Sequence, residues 1–325
     1  DLRMSRGLGD VYKRQVWTQI GGVMRFAVIS DLHVRIDGLL YGLNTQKRLD
    51  DVLSDIDREA PDLVVVTGDL ADCADLGSYR LIKERLESLS RPVYVLPGNH
   101  DDPVQRRQIF PAAPAVSVFS PGAYFTDAVE TDEAILVFLT TTIPNTAAGR
   151  VSPEALQQIR HMRRKAISSQ RALLVFLHHP PFRSGYIGID ACALENRREF
   201  LAAFGNVSPT GKTPSQKGSE VTAGIFCGHL HRPMASIVEG LPCWTVPSVA
   251  HSLAAFERSG AVRAGAAPPG WLRGTLTKDS LVCEFVEISA QPVFPIPFIP
   301  LRARVEEQAL KVLSPANDHM SVSYT

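Results

Sequence analysis

Short, fully apolar runs separated by amphipathic segments are the feature that most restricts the fold of this chain. Phe26–Ile29 and Leu63–Val66 contain no polar residue, which is typical of strands that are buried on both faces of a sheet. Between these runs, apolar residues from Leu49 to Ala60 recur at helical spacing, with Thr45 as the expected N-cap. Buried strands that alternate with amphipathic helices predict an α/β fold whose sheet is covered on both faces.

The same alternation continues along the chain. After the first two strands, further strands are predicted over Val93–Leu96, Ala123–Thr126, Ile135–Leu139, Ala172–Leu177 and Gly224–Cys227. Gly205–Glu220 is polar and rich in Gly, Pro, Ser and Lys, so it predicts a long mobile loop or a partly disordered insertion. Beyond Gln291 a proline-rich stretch precedes a helix-like segment over Arg304–Leu313.

Charge and cysteine content exclude several classes of protein. Lys and Arg number 34 and Asp and Glu also number 34, so the chain has no net field to attract nucleic acid or an anionic membrane. The five cysteines are scattered and form no CxxC pair, which favours a reducing compartment over a disulfide framework. No apolar run approaches the roughly 18 residues of a membrane span. We therefore expect a cytoplasmic protein with neither a nucleic-acid polymer nor a membrane as partner.

Both ends of the chain match a sequencing adapter. Asp10–Gln15 is what GAT GTG TAT AAG AGA CAG encodes, the end of a transposase adapter, and Val322–Thr325 is one frame of its reverse complement. We expect residues 1–15 and about 321–325 to be assembly artefacts, with Met24 as the true start. The expected division is a non-native or disordered leader over 1–23, a domain over 24–290 and a C-terminal extension over 291–325.

Candidate metal ligands follow five of the predicted strands. They are Asp31-x-His33, Gly68-Asp69, Gly98-Asn99-His100-Asp101, His178-His179 and Gly228-His229-x-His231. The carboxyl ends of strands in an open α/β sheet converge on one crevice, so ligands that are distant in sequence can meet there. Carboxylate, amide oxygen and imidazole suit Mn, Fe, Zn or Co, and one carboxylate can bridge two ions about 3.5–4 Å apart. The sequence therefore predicts a site for two divalent metal ions.

Each motif has a plainer explanation when it is taken alone. Gly-Asp is a common turn, Asn-His could cap a helix, and Gly-His-x-His could be a pair of hydrogen-bonded turn histidines. Asp101 could orient His100 or a ligand, or it could cap a helix before Pro103. Six of the nine histidines fall inside these motifs, however, and scattered core histidines would not cluster in this way.

The order of the motifs resembles that of the calcineurin-like metallophosphoesterases, which is D-x-H, G-D, G-N-H-D, H and G-H-x-H. Within that superfamily, the segments VVVTGDLAD, PVYVLPGNHDD, HHPPF and CGHLHRP are similar to class III cyclic-nucleotide phosphodiesterases and bacterial glycerophosphodiesterases. The resemblance extends from about Met24 to Ile288. It implies a four-layer αββα sandwich, in which two mixed sheets are flanked by helices.

The resemblance also implies how two divalent ions would be held. The ligands of the first ion would be Asp31, His33, Asp69 and His231, and those of the second would be Asp69, Asn99, His178 and His229. Asp69 would therefore bridge the two ions, and His179 would support a ligand rather than bind metal. His251 lies where relatives place a loop near the substrate, and Arg232 could meet phosphate or pair with an acid.

The implied reaction is attack on phosphorus by a hydroxide that bridges the two metals. His100 would offset charge on the phosphoryl oxygens or protonate the leaving group, and Asp101 would orient it. We expect a metal-dependent phosphodiesterase that acts on a small substrate such as a 3′,5′-cyclic nucleotide (cAMP) or a glycerophosphodiester. The alternatives are a phosphomonoesterase or nuclease on the same fold, and a metal-free interaction scaffold. Relatives self-associate, so a homodimer or higher homo-oligomer is compatible with the resemblance.

Overall fold

A computed structural model describes residues 22–110, 126–205, 212–214, 220–254 and 261–289 of the chain. Its strands are β1 (Val23–Ile29), β2 (Leu39–Leu40), β3 (Leu43–Asn44), β4 (Leu63–Val66), β5 (Val93–Val95), β6 (Thr126–Glu130), β7 (Ala134–Leu139), β8 (Ala172–Phe176), β9 (Lys212–Pro214), β10 (Glu220–Cys227), β11 (Met234–Val238), β12 (Leu241–Thr245), β13 (Ser252–Leu253), β14 (Ala264–Gly265), β15 (Gly270–Thr277) and β16 (Leu281–Glu287). Its helices are α1 (Thr45–Glu59), α2 (Leu76–Glu87), α3 (Pro103–Ile109), α4 (Pro153–Ser169), α5 (Ile187–Asp190) and α6 (Arg197–Ala202).

Two mixed sheets form the centre of the fold. The first has the strand order β16-β15-β1-β4-β5, in which β1, β4 and β5 are parallel and β15 and β16 form an antiparallel pair. The second has the order β11-β12-β10-β8-β7-β6, with parallel pairing from β12 to β7 and antiparallel β11 and β6 at its edges. The parallel strands of each sheet direct their carboxyl ends to one edge of that sheet.

Three hydrophobic clusters separate four layers of structure. Val28 belongs to the cluster between the two sheets, whereas its neighbour Ile29 belongs to the cluster that includes residues of α1 and α2. On the second sheet, Phe176 faces the first sheet and its neighbour Val175 belongs to the cluster that includes α4. Side chains alternate between faces because successive residues of a strand point in opposite directions. The order is helix, sheet, sheet, helix, which confirms the expected αββα sandwich.

The expected N-cap of α1 is wrong by one residue. Asn44 caps the helix, and its Oδ1 accepts a hydrogen bond from the Lys47 backbone N–H at 2.9 Å. Thr45 is the first helical residue, and its buried hydroxyl accepts a hydrogen bond from the Arg35 backbone N–H at 3.2 Å. An asparagine side chain is as good a cap as threonine or better, so the tertiary contact of Thr45 decides between the two neighbours.

The structure differs in part from two further predictions of local secondary structure. The strand expected around Ala123–Thr126 is found at β6, and residues 111–125 lie outside the described residues. β6 lies at the edge of the second sheet, and three of its five residues are polar, unlike the apolar runs of the central strands. Within Gly205–Glu220, β9 pairs antiparallel with the start of β10, so this stretch is not loop throughout. Residues 206–211 and 215–219 of the stretch lie outside the described residues.

Apart from Gly22 and Val23, which precede it in the chain, the described residues belong to one compact unit, Met24–Ala290. The expected leader up to residue 21 and the expected extension, with its helix-like segment, lie outside the described residues. Among the helices that are described, none combines the length and the apolar character that crossing a membrane would require.

Candidate metal centre

The predicted ligands follow β1, β4, β5, β8 and β10, and they meet where these strands end. Two groups of buried side chains have ligand atoms within 4.8 Å of one another: Asp31, His33, Asp69 and His231 in the first, and His178, His179 and His229 in the second. Asn99 joins the second group, because its Oδ1 lies 3.1 Å from Nε2 of His178 and 2.9 Å from Nδ1 of His229. The structure therefore brings all seven predicted ligands together.

Asp69 lies between the two groups. Its Oδ2 is 3.4 Å from Nε2 of His33 in the first group and 3.4 Å from Nε2 of His178 in the second. Its Oδ1 accepts a hydrogen bond from the His100 backbone N–H at 2.9 Å, which fixes the orientation of the carboxylate. One oxygen is thus held by the backbone while the other faces both groups, an arrangement that suits a carboxylate shared by two cations.

Backbone carbonyls determine which ring nitrogen of two histidines can bind a metal. Nδ1 of His178 lies 2.8 Å from the Thr67 carbonyl oxygen, and Nδ1 of His231 lies 2.9 Å from the His251 carbonyl oxygen. A carbonyl oxygen can only accept, so both Nδ1 atoms donate, and in the neutral imidazole each Nε2 carries the lone pair that could bind a metal. Such outer hydrogen bonds orient the imidazole ring toward a metal ion.

Buried polar atoms without a partner indicate that the centre fits cations. Among the described residues, Oδ2 of Asp31 and Nε2 of His229 are buried and accept or donate no hydrogen bond. Leaving such groups unpaired is costly, and a bound metal would remove the cost. Nε2 of His33 and Nε2 of His231 lie 3.1 Å apart. Two nitrogens bound to one ion at about 2.1 Å each would lie at a similar separation. The donor set and its spacing therefore fit divalent metal ions.

Five of the seven predicted ligands have a left-handed backbone, with φ between 38° and 70°. They are Asp31, His33, Asp69, His229 and His231. Each such residue costs about 1–3 kcal/mol and persists only where its surroundings impose the conformation, and such strain is concentrated at functional sites. Here the neighbouring loops impose it, because the Asp31 and His33 backbone N–H groups donate to the carbonyls of Gly68 and Asp69 at 3.0 and 2.9 Å.

The carboxylates of the centre raise the pKa of two histidines. Burial lowers the pKa of His33, but the carboxylates of Asp69 and Asp72 outweigh burial and raise it to about 10. Burial is likewise outweighed at His178, where Asp69 and then Asp31 raise the pKa to about 9. In the metal-free centre His33 and His178 therefore keep their protons, because the nearby carboxylates favour positive charge. A metal ion would displace these protons.

His100 lies at the exposed side of the centre. Its ring contacts the ring of His33 edge to face, with 4.6 Å between the ring centroids. Nδ1 of His100 lies 3.4 Å from the carbonyl oxygen of Asp72, so Nδ1 is the donating nitrogen. Nε2 is left for a group that approaches from solvent.

Asp101 is buried and connects the loops that follow β4 and β5. Its carboxylate accepts hydrogen bonds from the backbone N–H groups of Gly98 at 2.8 Å and Leu70 at 3.1 Å, and from the Tyr79 hydroxyl at 3.1 Å. The cap of α3 is Asp102, whose Oδ1 accepts from the first turn of the helix, so Asp101 is not the cap. Asp101 therefore supports the ligand loops that begin at Asp69 and Gly98.

Two other residues singled out in the sequence have defined surroundings. His251 is buried, and its ring lies 4.4 Å from that of His231 and 5.4 Å from that of His33. Nη1 of Arg232 donates to the Leu253 carbonyl oxygen at 2.6 Å. This carbonyl is neither of the two partners, a phosphate or an acidic residue, that the sequence suggested for Arg232.

Asp72 is a residue of the centre that the motifs did not identify. Its Oδ1 lies 3.4 Å from Nδ1 of His33, and its Oδ2 lies 3.1 Å from Nη1 of Arg35. Its ligand atoms also group with those of His33 and His100. Asp72 belongs to none of the motifs, and nothing in its sequence context distinguishes it from any other aspartate in a loop.

The fold and the two ligand groups define a metal-dependent hydrolase of phosphate esters. The family model described as calcineurin-like phosphoesterase matches residues 24–233. The chain therefore belongs to the calcineurin-like phosphoesterase family.

Two relatives agree with this assignment, and a solved structure shares the fold. A probable cyclic nucleotide phosphodiesterase of Rhodopseudomonas palustris is 29% identical over 274 residues, which cover 81% of this chain and 93% of the relative. A probable glycerophosphodiester phosphodiesterase of Arcobacter nitrofigilis is 28% identical over 230 residues, 70% of this chain and 78% of the relative. A dimetal phosphatase from Danio rerio shares the fold with a TM-score of 0.59 at 15% identity, over 82% of this chain and 97% of that structure.

Proposed function

We propose that this protein hydrolyses small phosphodiesters, such as a 3′,5′-cyclic nucleotide or a glycerophosphodiester, at a centre of two divalent metal ions. The observation that carries the proposal is the position of Asp69, whose Oδ2 is equally distant from a histidine of each ligand group. One ion would be held by Asp31, His33, Asp69 and His231, and the other by Asp69, Asn99, His178 and His229. Mn, Fe, Zn and Co all suit these ligands.

The chemistry that two bound divalent cations would supply here is a lowered pKa of water, and so hydroxide near neutral pH. The chain's own residues bind and orient the phosphate. The exposed ring of His100, held at Nδ1 by the Asp72 carbonyl, can donate from a protonated Nε2 to a phosphoryl oxygen or to the departing alkoxide. Asp101 acts as a positioning residue, since it fixes the loops that carry Asp69 and Asn99.

The names of the relatives favour a diester over a monoester, because the two described above are named as phosphodiesterases of small substrates. A nuclease would need a basic stripe along its groove, and the charges of this chain balance. A metal-free scaffold would not need to retain the ligands, yet every predicted ligand position is filled. The domain over 24–290, the cytoplasmic location and self-association stay predictions.

The experiment compares turnover of bis(p-nitrophenyl) phosphate and p-nitrophenyl phosphate by the full chain with Mn²⁺. Asn99→Ala is the matched variant, since it removes one oxygen ligand of the second ion. We expect the diester to be the better substrate and its turnover to fall at least 100-fold in the variant. A preference for the monoester would indicate a phosphatase. A folded protein that is inactive with every divalent metal would contradict the proposal.

A further inference from the structure

His179 directly follows the predicted ligand His178, and its nitrogens group with those of His178 and His229. Both ring nitrogens are nevertheless engaged elsewhere. Nε2 lies 3.1 Å from the Ala147 carbonyl oxygen and Nδ1 lies 2.8 Å from the Thr141 hydroxyl. Because the carbonyl can only accept, Nε2 donates to it and Nδ1 accepts from the hydroxyl. Neither nitrogen keeps a lone pair for a metal ion.

The ring of His179 fills the space between the second ligand group and a neighbouring loop. It is completely buried, and its centroid lies 4.9 Å from that of His178 and 4.6 Å from that of His229. A Cβ atom on Gly149 would overlap the His179 ring, so the Gly149 backbone lies directly against it. The ring therefore has little freedom to move unless the loop or the two ligands move with it.

The loop from Thr141 to Gly149 is itself held at its base. The Arg150 backbone N–H donates to the Thr141 carbonyl at 2.8 Å, and the Glu195 backbone N–H donates to the Gly149 carbonyl at 2.8 Å. The loop thus provides a fixed support for the His179 ring.

We propose that His179 is a positioning residue for the second metal ion. Held by the Thr141 hydroxyl and the Gly149 backbone, it sets the orientation of the His178 and His229 rings and so the affinity of that ion, without binding it. This inference rests on the proposed two-metal function. It predicts that changes at Thr141 and Gly149, which touch no metal, weaken the second ion selectively.

The test is calorimetric titration of the metal-free full chain with Mn²⁺. Thr141→Val removes the hydroxyl and keeps the shape of the side chain, whereas Thr141→Ser keeps the hydroxyl. We expect Thr141→Val to weaken one of two Mn²⁺ sites by about 10-fold, the lower end of the effect of changing groups that support metal ligands, because Thr141 acts on His178 and His229 through the His179 ring, and to leave the other site unchanged. Thr141→Ser should bind as the wild type does. The weakened site should be the one that Asn99→Ala abolishes.

Gly149→Ala provides a second, independent variant, and Gly274→Ala is its control. A Cβ atom on Gly274 would overlap the Phe26 ring in the core between the sheets, so both substitutions force an aromatic ring to move. Thermal unfolding of the metal-free variants measures the loss of packing in each. Selective weakening of the second site in Gly149→Ala alone supports the proposal. Equal weakening in both variants would overturn it, because general loss of packing would then be the cause.

Two results separate this inference from the proposed function. A wild-type chain that binds two Mn²⁺ ions, with Thr141→Val and Gly149→Ala binding both as tightly, overturns the role of His179 alone. A wild-type chain that binds fewer than two ions overturns both.

Discussion

A Cβ atom on Gly98 would overlap the carboxylate of Asp69, so the backbone after β5 lies against the side chain that separates the two ligand groups. The Gly98 N–H also donates to Oδ2 of Asp101 at 2.8 Å. The turn before Asn99 is therefore fixed by two aspartates. Only a residue without a side chain permits this approach, and it brings Asn99 to the same centre as Asp69.

Gly98→Ala should therefore impair binding of both metal ions, because Asp69 is shared by both. We also expect a loss of about 1–3 kcal/mol in the free energy of unfolding of the metal-free protein, the usual cost of overpacking. Urea unfolding and metal content measure the two effects. Gly77→Ala is the control, since the atoms nearest to its Cβ belong to the Asp75 and Ile36 side chains, neither of which is a predicted ligand. Full metal content in Gly98→Ala would contradict this account of the turn.

Metal removal should lower stability. Oδ2 of Asp31 and Nε2 of His229 are buried without a hydrogen-bond partner, and a bound metal would supply one. At a Mn²⁺ concentration 100 times the dissociation constant, each occupied site should add about 2.7 kcal/mol to the free energy of unfolding. Thermal unfolding with and without a chelator measures the change. Asp69→Asn should respond much less, and an unchanged melting temperature in the wild type would show that the centre does not bind Mn²⁺ in its folded form.

The ligands could be predicted from the sequence because they stand directly after apolar strands, and the geometry of parallel sheets brings such positions together. Asn99 and His229 are 130 residues apart, yet both follow strands and lie within hydrogen-bonding distance. The covering of the sheet on both faces could be predicted for a similar reason, since fully apolar strands must be buried on both sides. The second sheet, and with it the four layers, is implied only by the resemblance to the family.

Features that depend on contacts between distant loops could not be predicted in this way. Asp72 faces His33 because the loops after β1 and β4 pair through Val34 and Ala71, and no local pattern encodes that pairing. The role of Thr141 beside His179 also arises only from the packed structure. The cap of α1 shifted to Asn44 because Thr45 makes a tertiary contact with Arg35.

Metal binding should release protons. In the metal-free protein the pKa of His33 is raised from 6.5 to about 10 and that of His178 to about 9, so both are protonated at pH 7.5. Each ligand must lose its proton to bind, so loading should release about two protons and affinity should rise with pH up to about 9–10. Titration in two buffers of different ionisation enthalpy measures the release. An enthalpy that does not depend on the buffer would contradict the assignment of these two histidines as ligands.

The same raised pKa values of His33 and His178 should make the metal-free protein less stable as the pH rises, whereas metal affinity increases. A folded-state pKa above the unfolded value of 6.5 contributes stability that is fully present below pH 6.5 and is lost as the pH rises through about 9 and about 10. Urea unfolding of the chelator-treated protein should therefore show its free energy of unfolding falling between pH 6.5 and 10. A free energy of unfolding that rises over this range would show that other groups dominate.

Asp101 and Asp102 are adjacent carboxylates with different roles, and the same substitution should separate them. Asp101 accepts hydrogen bonds from two backbone N–H groups and from the Tyr79 hydroxyl, so in Asp101→Asn the amide nitrogen must face a donor and one hydrogen bond is lost. Leaving a buried donor unpaired costs about 1–3 kcal/mol, and the displaced ligand loops should lower diester turnover at least 10-fold. Asp102→Asn keeps a good N-cap for α3 and should change stability by less than about 0.5 kcal/mol. Urea unfolding and steady-state kinetics of both variants make the comparison, and equal effects of the two substitutions would contradict the positioning role of Asp101.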